Sequence, residues 1–147
     1  MSNSLLHRAA LGLVLALSVG IPAAQATPIE WNNSSSVWST AGGSSWVGGI
    51  APSNDSTNDI AVFGATGSPK IDPIIDASRT VAGINFLTNA YPYTFANPSG
   101  FVLTIGSAGM TNLATNVQTF SEALITTATQ IWTNSAGSTL VVNGGVD

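Results

Sequence analysis

RTVAGINF (79–86), YPYTF (91–95), FVLTIG (101–106), NVQTF (116–120), TQIWT (129–133) and STLVVNGG (138–145) follow one another between Gly, Ser, Asn and Pro turns. Each run alternates apolar and polar residues over the length of one short strand, and the turns between them leave no room for helices of ordinary length. The strands recur roughly every ten residues, so two or three of them make one coil of about 20–30 residues. A single coil cannot bury both sides of its apolar face, and neighbouring coils must therefore stack on one another. The expected fold is all-β, a parallel β-solenoid over 79–147. Asn and Thr within the strands suit ladders from rung to rung. The same spacing also fits an antiparallel β-sandwich, and periodicity alone leaves both open.

The rest of the composition agrees with a folded β protein. Hydrophobic residues make up 44% of the 147, while charged residues make up 7%, against roughly 25% in ordinary globular chains. Hydroxyls and amides, not ions, wet such a surface. The formal charge is −4. Without Arg8, two cations, Lys70 and Arg79, face seven acids, which gives −5. Two separated cations cannot neutralise a run of phosphates, which argues against nucleic acid and against an anionic membrane surface as partners. The absence of cysteine excludes a disulfide framework and a thiolate metal site.

The chain opens on MSNSLLHRAALGLVLALSVGIPAAQA (1–26). A short n-region with His7 and Arg8 precedes an apolar stretch from Ala9 to Ile21, Pro22 breaks it, and Ala24-Gln25-Ala26 supplies the small residues a signal peptidase requires. The stretch is shorter than the ~20 residues that span a bilayer. Residues 1–26 thus read as a bacterial export signal cleaved after Ala26. No transmembrane segment is expected in the mature chain, and the expected location is the outer-membrane surface or the extracellular space.

Residues 27–78 read as an N-terminal lead-in and capping segment. Trp31, Trp38 and Trp46 stand among small polar residues. They serve either as core packing for the first short strands or as a platform for stacking sugars, and a small domain poor in large side chains favours the core. Asn54, Asp55, Asn58 and Asp59 crowd one turn and offer hard oxygen ligands for calcium. No Gly closes the turn as a calcium loop needs, and Asx-turn chemistry before the strand Ile60–Phe63 accounts for the same residues. Pro69 and Pro73 confine 68–78 to an edge strand or loop. Asp72 and Asp76 would share a face only on a helix, which Pro73 opposes.

Within this order lies Trp38, Trp46, Gly49, Pro52 and Asp59-Ile60-Ala61-Val62-Phe63, followed by Thr80-Val81-Ala82-Gly83-Ile84-Asn85-Phe86 and Tyr93-Thr94-Phe95. Leu103-Thr104-Ile105-Gly106, Gly109-Met110-Thr111-Asn112, Gln118-Thr119-Phe120, Gln130-Ile131-Trp132 and Leu140 to Gly144 complete it. The sequence resembles the autotransporter-associated β-strand repeat region of bacterial exported and surface proteins over nearly all of the mature chain. That resemblance implies a right-handed parallel β-helix of the passenger type and carries no catalytic residues with it. In such proteins further repeats lead to a translocator barrel or a sorting tail, so 79–147 reads as the first coils of a longer passenger.

The chemistry legible after Ala26 is sparse. No His or Cys remains, no S-x-x-K surrounds Lys70, and no nucleophile elbow, Walker or dinucleotide fingerprint occurs. A carboxylate-based glycosidase would have to draw on Asp55, Asp59, Asp72, Asp76 and Glu122, and each of these reads as a solvated turn residue. No cofactor is expected. The functional expectation is a non-catalytic structural or adhesive passenger whose partners are surface or matrix glycans or proteins. The alternatives are a glycan-binding module built on Trp31, Trp38 and Trp46, and a polysaccharide-degrading enzyme.

Overall fold

The computed structural model describes residues 25–38, 45–67 and 70–147. Nine strands occur among them: β1 (Thr27–Glu30), β2 (Asp59–Phe63), β3 (Arg79–Phe86), β4 (Thr94–Phe95), β5 (Leu103–Asn112), β6 (Val117–Phe120), β7 (Leu124–Thr126), β8 (Trp132–Asn134) and β9 (Thr139–Val142). β1, β2, β3, β5 and β7 lie side by side in one sheet with β8 also on β5, and β4, β6 and β9 form a second sheet. Every pairing between these strands is parallel. The chain is a β-solenoid of about four turns, and no antiparallel sandwich is present among the described strands.

The rung spacing follows from the register. Ile60 faces Gly83, Gly83 faces Gly109 and Met110 faces Trp132, so each of these windings falls within the roughly 20–30 residues expected of one coil. The first winding is longer, because Thr27 meets its partner only at Asp59. The stack does not begin at Arg79, because β1 and β2 are already its first rungs. Ile74 bridges Val37 on one side and Ala96 on the other, which carries the second sheet back into the first winding. Pro73 is tolerated there because the pairing is an isolated bridge and needs no ladder of donors.

The larger sheet bends within β3 and β5. Val81 faces Ile105 and Gly83 faces Gly109, so Ala82 lies opposite the three residues Gly106, Ser107 and Ala108. Such a bulge turns the strand. The next winding follows the bend as two pieces, β7 on Leu103–Ile105 and β8 on Met110–Asn112. Gly109 makes the corner possible. Its φ is +66°, and a Cβ there would lie 2.3 Å from the Ile131 carbonyl oxygen of the winding above.

Inside, like stacks on like. Phe63 and Phe86 face each other in register with ring centroids 5.5 Å apart, and Phe95 and Phe120 stack at 4.4 Å. Each of these rings is fully buried, worth about 1.5–3 kcal/mol apiece by removal from water. The Phe63–Phe86 column continues into Asn112 and then Asn134. Asn112 is fully buried, and its Nδ2 donates to Asn134 Oδ1 at 2.9 Å and to the Thr139 carbonyl at 3.2 Å. This is the amide ladder expected from the strand composition. Gln118, also fully buried, accepts from the Tyr93 amide and donates to the Tyr91 and Asn116 carbonyls.

Candidate functional site

Trp31, Trp38 and Trp46 come together as the sequence-based platform requires, but in the interior. All three have zero exposure. Trp31 and Trp46 meet edge to face at 5.0 Å, and so do Trp38 and Trp46 at 4.8 Å. Phe63 packs against all three. The Trp46 indole N–H donates to the Trp38 carbonyl at 2.9 Å and that of Trp31 to the Lys70 carbonyl at 3.3 Å. Trp31 and Trp46 also form an antiparallel bridge that folds 45–46 across the first winding. With no ring face open to water, the cluster has no surface on which a sugar could stack. It is a plug that closes the N-terminal end of the stack.

Tyr93 ties three windings together beneath that plug. Its hydroxyl donates to the Gly64 carbonyl at 2.6 Å and lies 2.8 Å from Asn33 Oδ1. Burial pushes the phenol up to about 12, with the Asn33 contact opposing the shift only in part. Asn33 has a φ of +61°, a conformation that asparagine adopts more readily than most residues.

The acidic turn before β2 commits its side-chain oxygens to nearby amides and hydroxyls. Asp55 Oδ1 accepts from the Thr57 amide at 2.7 Å and from its hydroxyl at 2.5 Å, and Asp59 Oδ2 accepts from the Ser53 amide and hydroxyl at 2.7 and 2.6 Å. The Asn54 side-chain oxygen accepts from the Thr80 amide at 2.5 Å. The Asp55–Thr57 pair is an Asx turn, whereas Asn54 ties this turn to β3, and the Thr57 hydroxyl and amide lower the Asp55 carboxyl below its ordinary value. Among the described residues, no three of His, Cys, Asp and Glu gather as metal ligands would.

The remaining acids are dispersed. Asp72 accepts from the Ser36 hydroxyl at 3.0 Å, and Asp76 pairs with Arg79 at 3.0 Å. Glu122 departs from its sequence reading. It is no solvated turn residue but is 3% exposed, with neither carboxyl oxygen hydrogen-bonded in good geometry. Desolvation raises its carboxyl above the ordinary value, opposed in part by the nearby Glu122 and Ser121 amides. No local pattern marks it. Register does, since Phe120 faces Val142 and Leu124 bridges Val146, which sets Gly144 over Glu122.

Two open grooves flank β1. One, of about 510 Å³, is lined by Gln25, Ala26, Thr27, Pro28, Ile60 and Asn85. The other, of about 410 Å³, is lined by Pro28, Ile29, Glu30, Val47, Gly48 and Ile50. Glu30 is the carboxylate in the second, and it already accepts a hydrogen bond from the Thr66 hydroxyl. Of the expected cleavage residues, Ala26 lies beside β1, whereas Ala24 and the apolar stretch Ala9 to Ile21 lie outside the described residues. No described helix is long and apolar enough to cross a membrane. Comparison with protein-family models, with curated proteins and with solved structures finds no match.

Proposed function

We propose that this chain is a structural, passenger-type β-solenoid, exported by a bacterium and displayed at its surface or outside the cell, where it mediates adhesion or matrix contact and not catalysis. The observation that carries this reading is the uninterrupted parallel stack with its large rings turned inward. The aromatic side chains that a sugar-stacking site would use are committed to holding the rungs together. On the outer side of the larger sheet the neutral polar groups of Asn85, Thr111 and Thr133 align rung over rung, half-buried at the first two and exposed at the third. Such a row offers a repeating set of donors and acceptors to the hydroxyls of a glycan or to an extended protein segment. A resemblance to autotransporter-associated repeats and the leader-like residues 1–26 support export.

The test is expression with the native leader in a Gram-negative host, followed by sequencing of the mature N-terminus and a binding assay on cell-surface polysaccharide and matrix protein. The expected result is a mature chain starting at Thr27 that is retained on one of these surfaces. Simultaneous replacement of Asn85, Thr111 and Thr133 by Ala should lower that retention without shifting Tm. An intact leader in the cytoplasm would end the export reading. Steady release of reducing sugars from the polysaccharide would replace adhesion with a carboxylate hydrolase.

A further inference from the structure

Glu122 stands apart from the other acids because it is buried without a partner at a corner between two windings. It lies in the turn Ser121–Ala123, between β6 and β7. Gly144 of the next corner is pressed on it so closely that a Cβ there would lie 2.1 Å from the Glu122 carbonyl carbon and 2.3 Å from the Ala123 nitrogen. Both carboxyl oxygens are enclosed, and neither has a well-formed hydrogen bond. The turn that packs on the Glu122 backbone is held by Asn143 N–H to the Phe120 carbonyl at 2.8 Å, Leu124 N–H to the Gly145 carbonyl at 3.1 Å and Asp147 N–H to the Leu124 carbonyl at 3.0 Å, with the Thr126 amide and hydroxyl on the Asp147 carbonyl at 2.8 and 3.1 Å.

Charge offers Glu122 no relief. The other titratable group on the elements at this corner is Asp147, whose carbonyl and amide are bonded to β7. Arg79, two rungs below Leu124 in register, is paired with Asp76. Among the described residues no cation bears on the Glu122 carboxyl, and the shift it feels comes from desolvation. A carboxylate cannot keep its charge in such a place without water or a donor.

We propose that Glu122 is a proton-operated latch for the turn Asn143–Val146: while the carboxyl is protonated that turn stays seated on the stack, and loss of that proton to water lifts it. The sign follows from linkage. The closed turn holds the proton more tightly than the open one, so closure is strongest at and below the ordinary carboxyl value of 4.5 and weakens as pH rises toward the raised value. Because one proton leaves on opening, the opening equilibrium grows by up to about tenfold per pH unit across that window. The consequence is a solenoid in which this turn closes in acid and loosens toward neutrality, while the windings below it stay put.

The experiment is native-state hydrogen exchange on the full chain between pH 4.5 and 8, with rates corrected for intrinsic exchange, for wild type and Glu122→Gln. Amides of Leu124, Asn143 and Asp147 should lose protection with rising pH in the wild type, by up to about tenfold per unit. They should stay level in Glu122→Gln, and the amides of β3 should stay level in both. In parallel, the carboxyl of Glu122 is titrated by carbon NMR in the wild type, which decides the matter should the variant not fold. A raised titration coinciding with the loss of protection supports the latch. An ordinary titration, or the same protection profile in both chains, overturns it.

Discussion

The two ends of the stack are built differently. At the N-terminal end the edge strand β1 turns the amides of Thr27 and Trp31 toward β2, so the backbone nitrogen of residue 28 faces outward, and there proline supplies no donor. Trp31, Trp38 and Trp46 fill the end beneath the folded-back residues 45–46. At the C-terminal end β7, β8 and β9 carry neither a charge nor a proline. Trp132 of β8 and Leu140 and Val142 of β9 are only partly covered, whereas Leu124 of β7 is fully buried. A rung gains its stability from the rung on each side. A closed end therefore needs large side chains and a blunted edge, and rungs without them leave their inward side chains half covered. The buried carboxyl of Glu122 sits close to the open end, whereas the hydrogen-bonded Asp55 sits close to the closed one.

The plug can be broken outright. Trp46→Ala removes a fully buried indole and its bond to the Trp38 carbonyl and should cost about 3–5 kcal/mol, seen in urea denaturation as a lower midpoint for the whole stack. A loss below about 1 kcal/mol would mean that the N-terminal end is as loose as the other. Gly144→Ala should cost less, about 1–3 kcal/mol by overpacking. Its effect should be confined to the last winding, because the added methyl meets the Glu122–Ala123 backbone. Faster exchange restricted to residues 122–147 is the expected readout, and uniform loss of protection along the chain would contradict the contrast between the ends.

A gentler comparison uses fluorescence. Trp132 is the half-buried tryptophan of the open end, and the other three have no exposure. Trp132→Phe should therefore leave a blue-shifted emission that acrylamide quenches several-fold less than the emission of the fully unfolded chain. Emission near that of indole in water from this variant would place the plug in solvent. The smallest effect belongs to Asp55. Its carboxyl is lowered below the ordinary 3.8 by Thr57, so it contributes stability above that value and loses it as pH falls through the native one. Asp55→Asn should remove only that shallow acid-side slope from a Tm-against-pH curve, opposite in sign to the slope removed by Glu122→Gln. A larger change would mean that the turn before β2 carries more of the closed end than its exposed bonds suggest.

Much of this architecture was readable in the order of residues. Val81, Ile84 and Phe86, and Leu103 and Ile105, stand at strand-like spacing, and the strands β3, β5, β6, β8 and β9 start within the quoted runs. Tyr91–Phe95 yields only two strand residues, because Pro92 removes a donor and the chain turns there. Two rungs were not visible. β1 is short and meets its partner β2 only beyond a long Gly/Ser-rich stretch. β7 is shorter still and lacks a clear alternation of its own.

The candidate site was legible as residue types and not as placement. Trp31, Trp38 and Trp46 signal either a platform or a plug, and only their packing on Phe63 separates the two. Glu122 carries no local mark of burial, since the residue that packs on its backbone, Gly144, lies a full winding further along the chain.

By itself the sequence determined a chain of short strands with little charge, because alternation and turn residues act over a few neighbouring positions and leave their trace there. The direction of pairing, the inward turn of the indoles and the enclosure of one carboxyl were decided by the tertiary structure. Each depends on which residues meet after a full winding, a distance over which composition and period carry no register.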